Sequence, residues 1–172
     1  MEGILESYIY FLHKNAVKLT FITYVCGMTL ALLLFLILNI DFGEITFNNT
    51  IGNSLDIFIH NMKVQFFLFL GTPFLGIPTT ILLFINGFSI GMTIAQAYTS
   101  GNLTELLFHI MPHGIFEIPG FLIMTILSYQ TLSIFTKGEL SKHFIAFVKQ
   151  KTFLLLLSFA LTFIAAIIEG LK

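Results

Sequence analysis

The fold class that this 172-residue sequence predicts is all-α, a polytopic helical membrane protein with about five transmembrane helices plus short amphipathic helices. Three observations lead there. Mean hydropathy is +0.94, with 56% hydrophobic and only 10% charged residues, where a soluble globular domain carries roughly 25% charge. Several apolar runs reach the ~20 residues that an α-helix needs to cross ~30 Å of hydrocarbon. Between the runs lie polar, Gly- and Pro-containing breaks that read as turns. The whole of 1–172 is expected to form a single membrane domain.

The elements follow in order. Over 2–17, Ile4, Leu5, Tyr8, Ile9 and Leu12 recur at helical spacing against Glu2, Glu6, His13 and Lys14. That pattern suits a short amphipathic helix lying on the membrane surface or packed on the bundle. The run 19–40 holds no charge and is the first span; lacking a small-residue exit of the cleavable kind, it is expected to stay as an anchor. Asp41, Gly43, Glu44, Asn48 and Asn49 then form a polar interruption that must face water.

From 55 to 98 the chain is mostly apolar but is interrupted by Gly71, Pro73, Gly76 and Pro78, and it is too long for one crossing. It divides into spans at about 55–72 and 78–98, joined by a tight or re-entrant connection, because proline cannot donate a backbone hydrogen bond. Whether 55–78 fully spans is left open by the sequence. The next span is expected over 113–135, restarted by Pro112 after a short apolar stretch. A basic amphipathic helix at about 138–150 carries Lys142 and Lys149 beside Leu140, Phe144, Phe147 and Val148, and the last span covers 152–171.

Lysine placement sets the expected orientation, since short cytoplasmic loops retain Lys and Arg. Lys14 and Lys18 precede the first span, and Lys137, Lys142, Lys149 and Lys151 precede the last. Five crossings then put the N-terminus in the cytoplasm and the C-terminus outside the plasma membrane.

Composition also excludes. A formal net charge of -1 and the absence of arginine argue against a nucleic-acid partner. The single cysteine, Cys26, has no intrachain partner for a disulfide and reads as a small packing residue. No nucleophile elbow, phosphate loop, Cys cluster or His-Glu-x-x-His is present, so an enzyme of the soluble type has no support; no cofactor and no metal are assigned.

What chemistry the chain holds lies among its oily segments. Asn86 must find hydrogen-bond partners in apolar surroundings. Gly87, Gly91 and Ala95 form a small-residue stripe that lets another helix approach closely. An ionisable residue inside hydrocarbon costs at least ~2.5 kcal/mol, so His113 and Glu117 require partners, water or a function. Their spacing places them on adjacent turns just inside a helix start, where the positive dipole end would favour an anionic Glu117. His109 lies one turn earlier, but Pro112 is expected to put it on a different element. At the entry to the second span, His60, Asn61 and Lys63 read as an interfacial face.

The order Phe58, Asn61, Gly71, Gly76, Asn86-Gly87, Gly91, Pro112-His113-Gly114, Glu117 and Pro119, set among apolar segments, resembles the stage II sporulation protein M family of bacterial membrane proteins over nearly the whole chain. The resemblance implies a small helical protein of the bacterial cell membrane with no established catalytic activity. It implies that Asn86, Gly87, His113, Gly114 and Glu117 are the family's polar core. It also implies a scaffold that recruits wall-degrading partners in sporulation, or a subunit of circular-bacteriocin export or immunity working with a separate ATPase. Expected partners are therefore the lipid bilayer and other membrane or cell-wall-associated proteins, with a homo-oligomer compatible with either role. A transport reading would have broken helices near 71–78 and 111–114 line a path, and an intramembrane hydrolase would use His113 and Glu117.

Overall fold

A computed structural model describes residues 2–38, 53–134 and 140–171, and these are almost wholly helical. Its α-helices are α1 (Glu2–Leu38), α2 (Ser54–Leu70), α3 (Ile77–Thr99), α4 (Leu103–Thr131) and α5 (Leu140–Gly170), with single 3-10 turns at Thr72–Phe74 and Leu132–Ile134. Four of them, α1, α3, α4 and α5, are long and apolar enough to cross a membrane. The fifth, α2, has 17 residues and carries Asp56, His60 and Lys63 in its first ten. The polar interruption at 41–50 lies outside the described residues.

Helices that the sequence divides are continuous in three places. The amphipathic segment 2–17 and the first span are one helix, α1, because nothing between Val17 and Leu19 breaks helical geometry. Its 37 residues extend for about 55 Å, well beyond the thickness of hydrocarbon. Ile9, Leu12 and Ala16 on its first half are buried against Tyr129 and Leu132 of the α4 end, so that face packs on the bundle, while Ile4 and Leu5 remain exposed. Likewise, the basic segment at 138–150 runs without a break into the last span as α5.

The third case corrects an expectation. Pro112 and Pro119 both lie inside α4, so Pro112 does not restart the chain and His109 belongs to the same helix as His113. Where no water can rescue broken backbone hydrogen bonds, a helix tolerates the loss of one donor better than it tolerates ending.

Between α2 and α3 the connection is a compact turn. Asn53 caps α2 by accepting from the Leu55 amide at 3.1 Å, and Gly71 ends the helix. Leu75 and Gly76 then take left-handed φ values of 59° and 73°, reversing the chain, and Pro78 sits in the first turn of α3, where a missing N–H costs nothing. A Cβ on Gly71 would collide with Thr79, which shows how tightly the two helices meet. The Thr79 hydroxyl donates to the Leu68 carbonyl at 2.7 Å and that of Thr72 to the Phe69 carbonyl at 2.6 Å, so carbonyls at the end of α2 find partners.

Contacts fix the helix directions. Tyr8 meets Leu75, Tyr24 meets Gly87 and Met28 meets Gly91, so α1 and α3 run parallel. Gln65 reaches Ser158 and Thr162 while Ser54 lies beside Gly170, so α5 runs against α2; Gly120 beside Ser158 sets it against α4 as well. The chain thus alternates direction from helix to helix. Leu68, Leu83, Phe121 and Met124 form one core among α2, α3 and α4. Outward faces of the long helices keep Leu33, Ile81, Ile85, Phe153 and Leu156 exposed, as lipid rather than water would require.

Candidate functional site

Glycine builds the first wall of the site. A Cβ on Gly87 would overlap the Tyr24 carbonyl oxygen, one on Gly91 would overlap that of Met28, and one on Gly27 would overlap that of Phe84. Backbones of α1 and α3 therefore touch through glycines on both sides, with Ala95 buried further along α3. This approach brings Tyr24 beside Asn86 and Ser89, and together with Ile110, His113 and Glu117 of α4 they line a cavity of about 100 Å³. Such a space has room for several waters.

Asn86 Nδ2 donates to the Leu82 carbonyl of its own helix at 2.8 Å. The Tyr24 hydroxyl is buried and finds no hydrogen-bond partner among the described residues. Gly114 is buried next to His113, but a Cβ there would meet only Ile110 and Ile118 of α4 at 3.5 and 3.8 Å, so its smallness is not needed for helix approach.

His113 and Glu117 are joined by Glu169 from the last turn of α5. One ligand atom from each lies within 4.8 Å of the others, and all three residues are partly buried. Two full negative charges at that distance repel by roughly 3 to 4 kcal/mol at an effective dielectric constant of about 20. A proton, an imidazolium or a cation must offset that repulsion. The imidazole nitrogen and two carboxylate oxygens are also a donor set that holds divalent metals.

Sequence reasoning found His113 and Glu117 but misplaced them. They stand mid-helix, beginning ten residues after Leu103, where the dipole of the α4 start no longer reaches. His109 shares the helix but turns its Nδ1 to the Glu105 carbonyl at 3.1 Å and stays outside the trio. Asn61 is buried on α2 while His60 and Lys63 are exposed, and it does not line the cavity. Glu169 and Tyr24 were missed. The one available signal for Glu169 was a lone carboxylate ending the uncharged stretch 152–168.

A second polar system ties α2, α4 and α5 together. Gln65, fully buried, donates to Thr162 Oγ1 and to the Ser158 carbonyl, and Ser158 Oγ donates to the Gly120 carbonyl at 2.8 Å. Nearby, Ser128 Oγ lies 3.0 Å from both Thr72 and Thr79 hydroxyls, and Thr80 meets the Tyr129 hydroxyl at 2.7 Å. In lipid such bonds act as interhelical glue.

Comparison with known proteins gives a relative and a family. The chain is 36% identical over 75 residues to an uncharacterized protein of Methanocaldococcus jannaschii, a match that covers 43% of this chain and 42% of that relative. No solved structure matches. A sequence model described as Stage II sporulation protein M matches residues 39–171, more than half of the chain. That stretch takes in α2 to α5, the cavity groups of α3 and α4, and the carboxylate at the end of α5, and on this match the chain belongs to the stage II sporulation protein M family.

Proposed function

We propose that this protein is a non-catalytic membrane scaffold or assembly subunit that docks partner proteins at the cytoplasmic end of its helical bundle. One observation carries the reading. A groove of about 340 Å³ opens between the first half of α1, the end of α4 and the first turns of α5, lined by His13, Gln130, Ser133, His143, Gln150 and Lys151. It sets Lys151 of α5 across from His13 of α1, next to which Lys14 follows in the chain, so that lysines of both groups stand at the same end of the molecule. Under the positive-inside tendency that end faces the cytoplasm, and Ile134 and Phe147 on the groove wall add apolar surface to a basic rim.

A photo-crosslinking residue in place of Ala146, on the groove wall, tests this in the native host. The expected result is a discrete protein adduct that disappears in the Lys149→Glu, Lys151→Glu double variant at unchanged membrane abundance. Adducts to lipid alone would refute docking.

The second reading is a membrane subunit of peptide export or immunity that works with a separate ATPase. The cavity between α1, α3 and α4, with Asn86, His113 and Glu117 on an otherwise largely apolar wall, favours it. Continuity of α4 through 111–114 removes one of the two helix breaks that a transport path would use, and this favours the scaffold. An ATPase as the crosslinked partner would select export; a wall hydrolase would select the scaffold.

A further inference from the structure

We propose that His113, Glu117 and Glu169 bind one divalent transition-metal ion of the zinc or manganese type, joining α4 to the end of α5. Geometry and charge both point there. The three donor atoms lie within 4.8 Å of one another, close enough to converge on one ion once it draws them in. One imidazole with two carboxylates is a nitrogen-oxygen-oxygen set of the kind that such ions accept, with further positions left to water.

The membrane setting strengthens the case. Two carboxylates carry two negative charges, and a dication cancels both, so the loaded site is neutral where net charge is costly. A single shared proton would leave one charge uncancelled unless the imidazole took a second. The cavity beside His113 and Glu117 supplies space for the metal's waters, and Ser89 and the buried Tyr24 hydroxyl stand on its wall. Water on the metal would give that hydroxyl the hydrogen-bond partner it lacks among the described residues.

Helix packing has already positioned the ligands. His113 and Glu117 are one turn apart on α4, and the Gly120 contact with Ser158 and Thr162 sets α5 against α4 so that Glu169 arrives level with them. Binding therefore requires no rearrangement of the bundle, only adjustment of three side chains.

The test uses the full chain purified in detergent, stripped with chelator and desalted, then given zinc or manganese separately. The expected result is about one ion retained per chain, with thermal unfolding shifted upward by the bound ion. Glu169→Gln should weaken binding at least about tenfold while the metal-free variant unfolds no earlier than the parent; Glu105→Gln, an exposed carboxylate of the first α4 turn, should bind as the parent does. His113→Gln should also lose the ion. Should that variant not fold, Glu169→Gln decides alone, because its side chain is partly exposed on the last turn of α5. No retained metal at micromolar concentration, or equal occupancy in parent and Glu169→Gln, would overturn the proposal.

Discussion

The seam between α1 and α3 and the seam joining α5 to α2 and α4 solve one problem in opposite ways. Along α1 and α3, Gly27, Gly87 and Gly91 let backbone lie on backbone, and the Thr20 and Tyr24 hydroxyls are buried there with no partner among the described residues. Along α5, Gln65 Nε2, Ser158 and Thr162 hydrogen-bond across helices, with Gly120 giving both a carbonyl and the room to reach it, although Gln65 Oε1 is buried with no partner among the described residues. Apolar burial does not drive helices together in lipid, so one seam relies on close van der Waals contact and the other on polar bonds. Both seams are intolerant of added atoms at their glycines, Gly120 and Gly170 included, but only the second also has interhelical polar bonds to lose. His113 and Glu117 stand on α4 where the two seams adjoin.

Substitutions sharpen the contrast. Gly87→Ala places a methyl on the Tyr24 carbonyl, where only backbone can yield, and should cost about 3 kcal/mol, read as a fall in thermal midpoint and in monodisperse yield in detergent. An unchanged midpoint would mean that the glycine contact does not hold α1 to α3. On the other seam, Gln65→Leu should cost only about 1 kcal/mol, since Thr162 keeps its own bond to the Ser158 carbonyl at 2.9 Å. Equal losses at the two positions would erase the distinction between them.

Smaller effects probe the junction and the rim. In chelator, Glu169→Gln removes one of two carboxylates whose repulsion a proton or the imidazolium already offsets, so the midpoint should move by less than about 1 kcal/mol, the group being partly exposed. A marked loss instead would show Glu169 to be a structural hydrogen-bond partner. The Lys149→Glu, Lys151→Glu pair should move the midpoint by no more than about 0.5 kcal/mol, so any loss of crosslinking there would reflect docking rather than unfolding.

Legibility followed the range of the interaction. The apolar runs were readable because crossing a membrane is a matter of local length and hydropathy, and all five correspond to helical chain. The Gly87, Gly91 and Ala95 stripe was readable from its spacing, but not its counterpart, since Gly27 sits alone in an uncharged run with nothing to single it out. Continuity through Pro112 was misread because the steric bias on the residue before a proline is a local preference, which the packed helix overrides. For Glu169 the sequence offered a lone carboxylate after an uncharged stretch but no partner for it. It lies 52 residues after Glu117, and only the antiparallel packing of α4 on α5 makes them neighbours.

The length of α1 has a mechanical consequence. One uninterrupted rod carries His13 in the wall of the groove and Tyr24 in the wall of the cavity, about 16 Å further along. Whatever seats itself against His13 and tilts the rod must displace the phenol at the far wall as well, unless the helix bends between them. Arrival of a visitor at the groove would then be felt beside the partly buried acids without any signal passing through solvent.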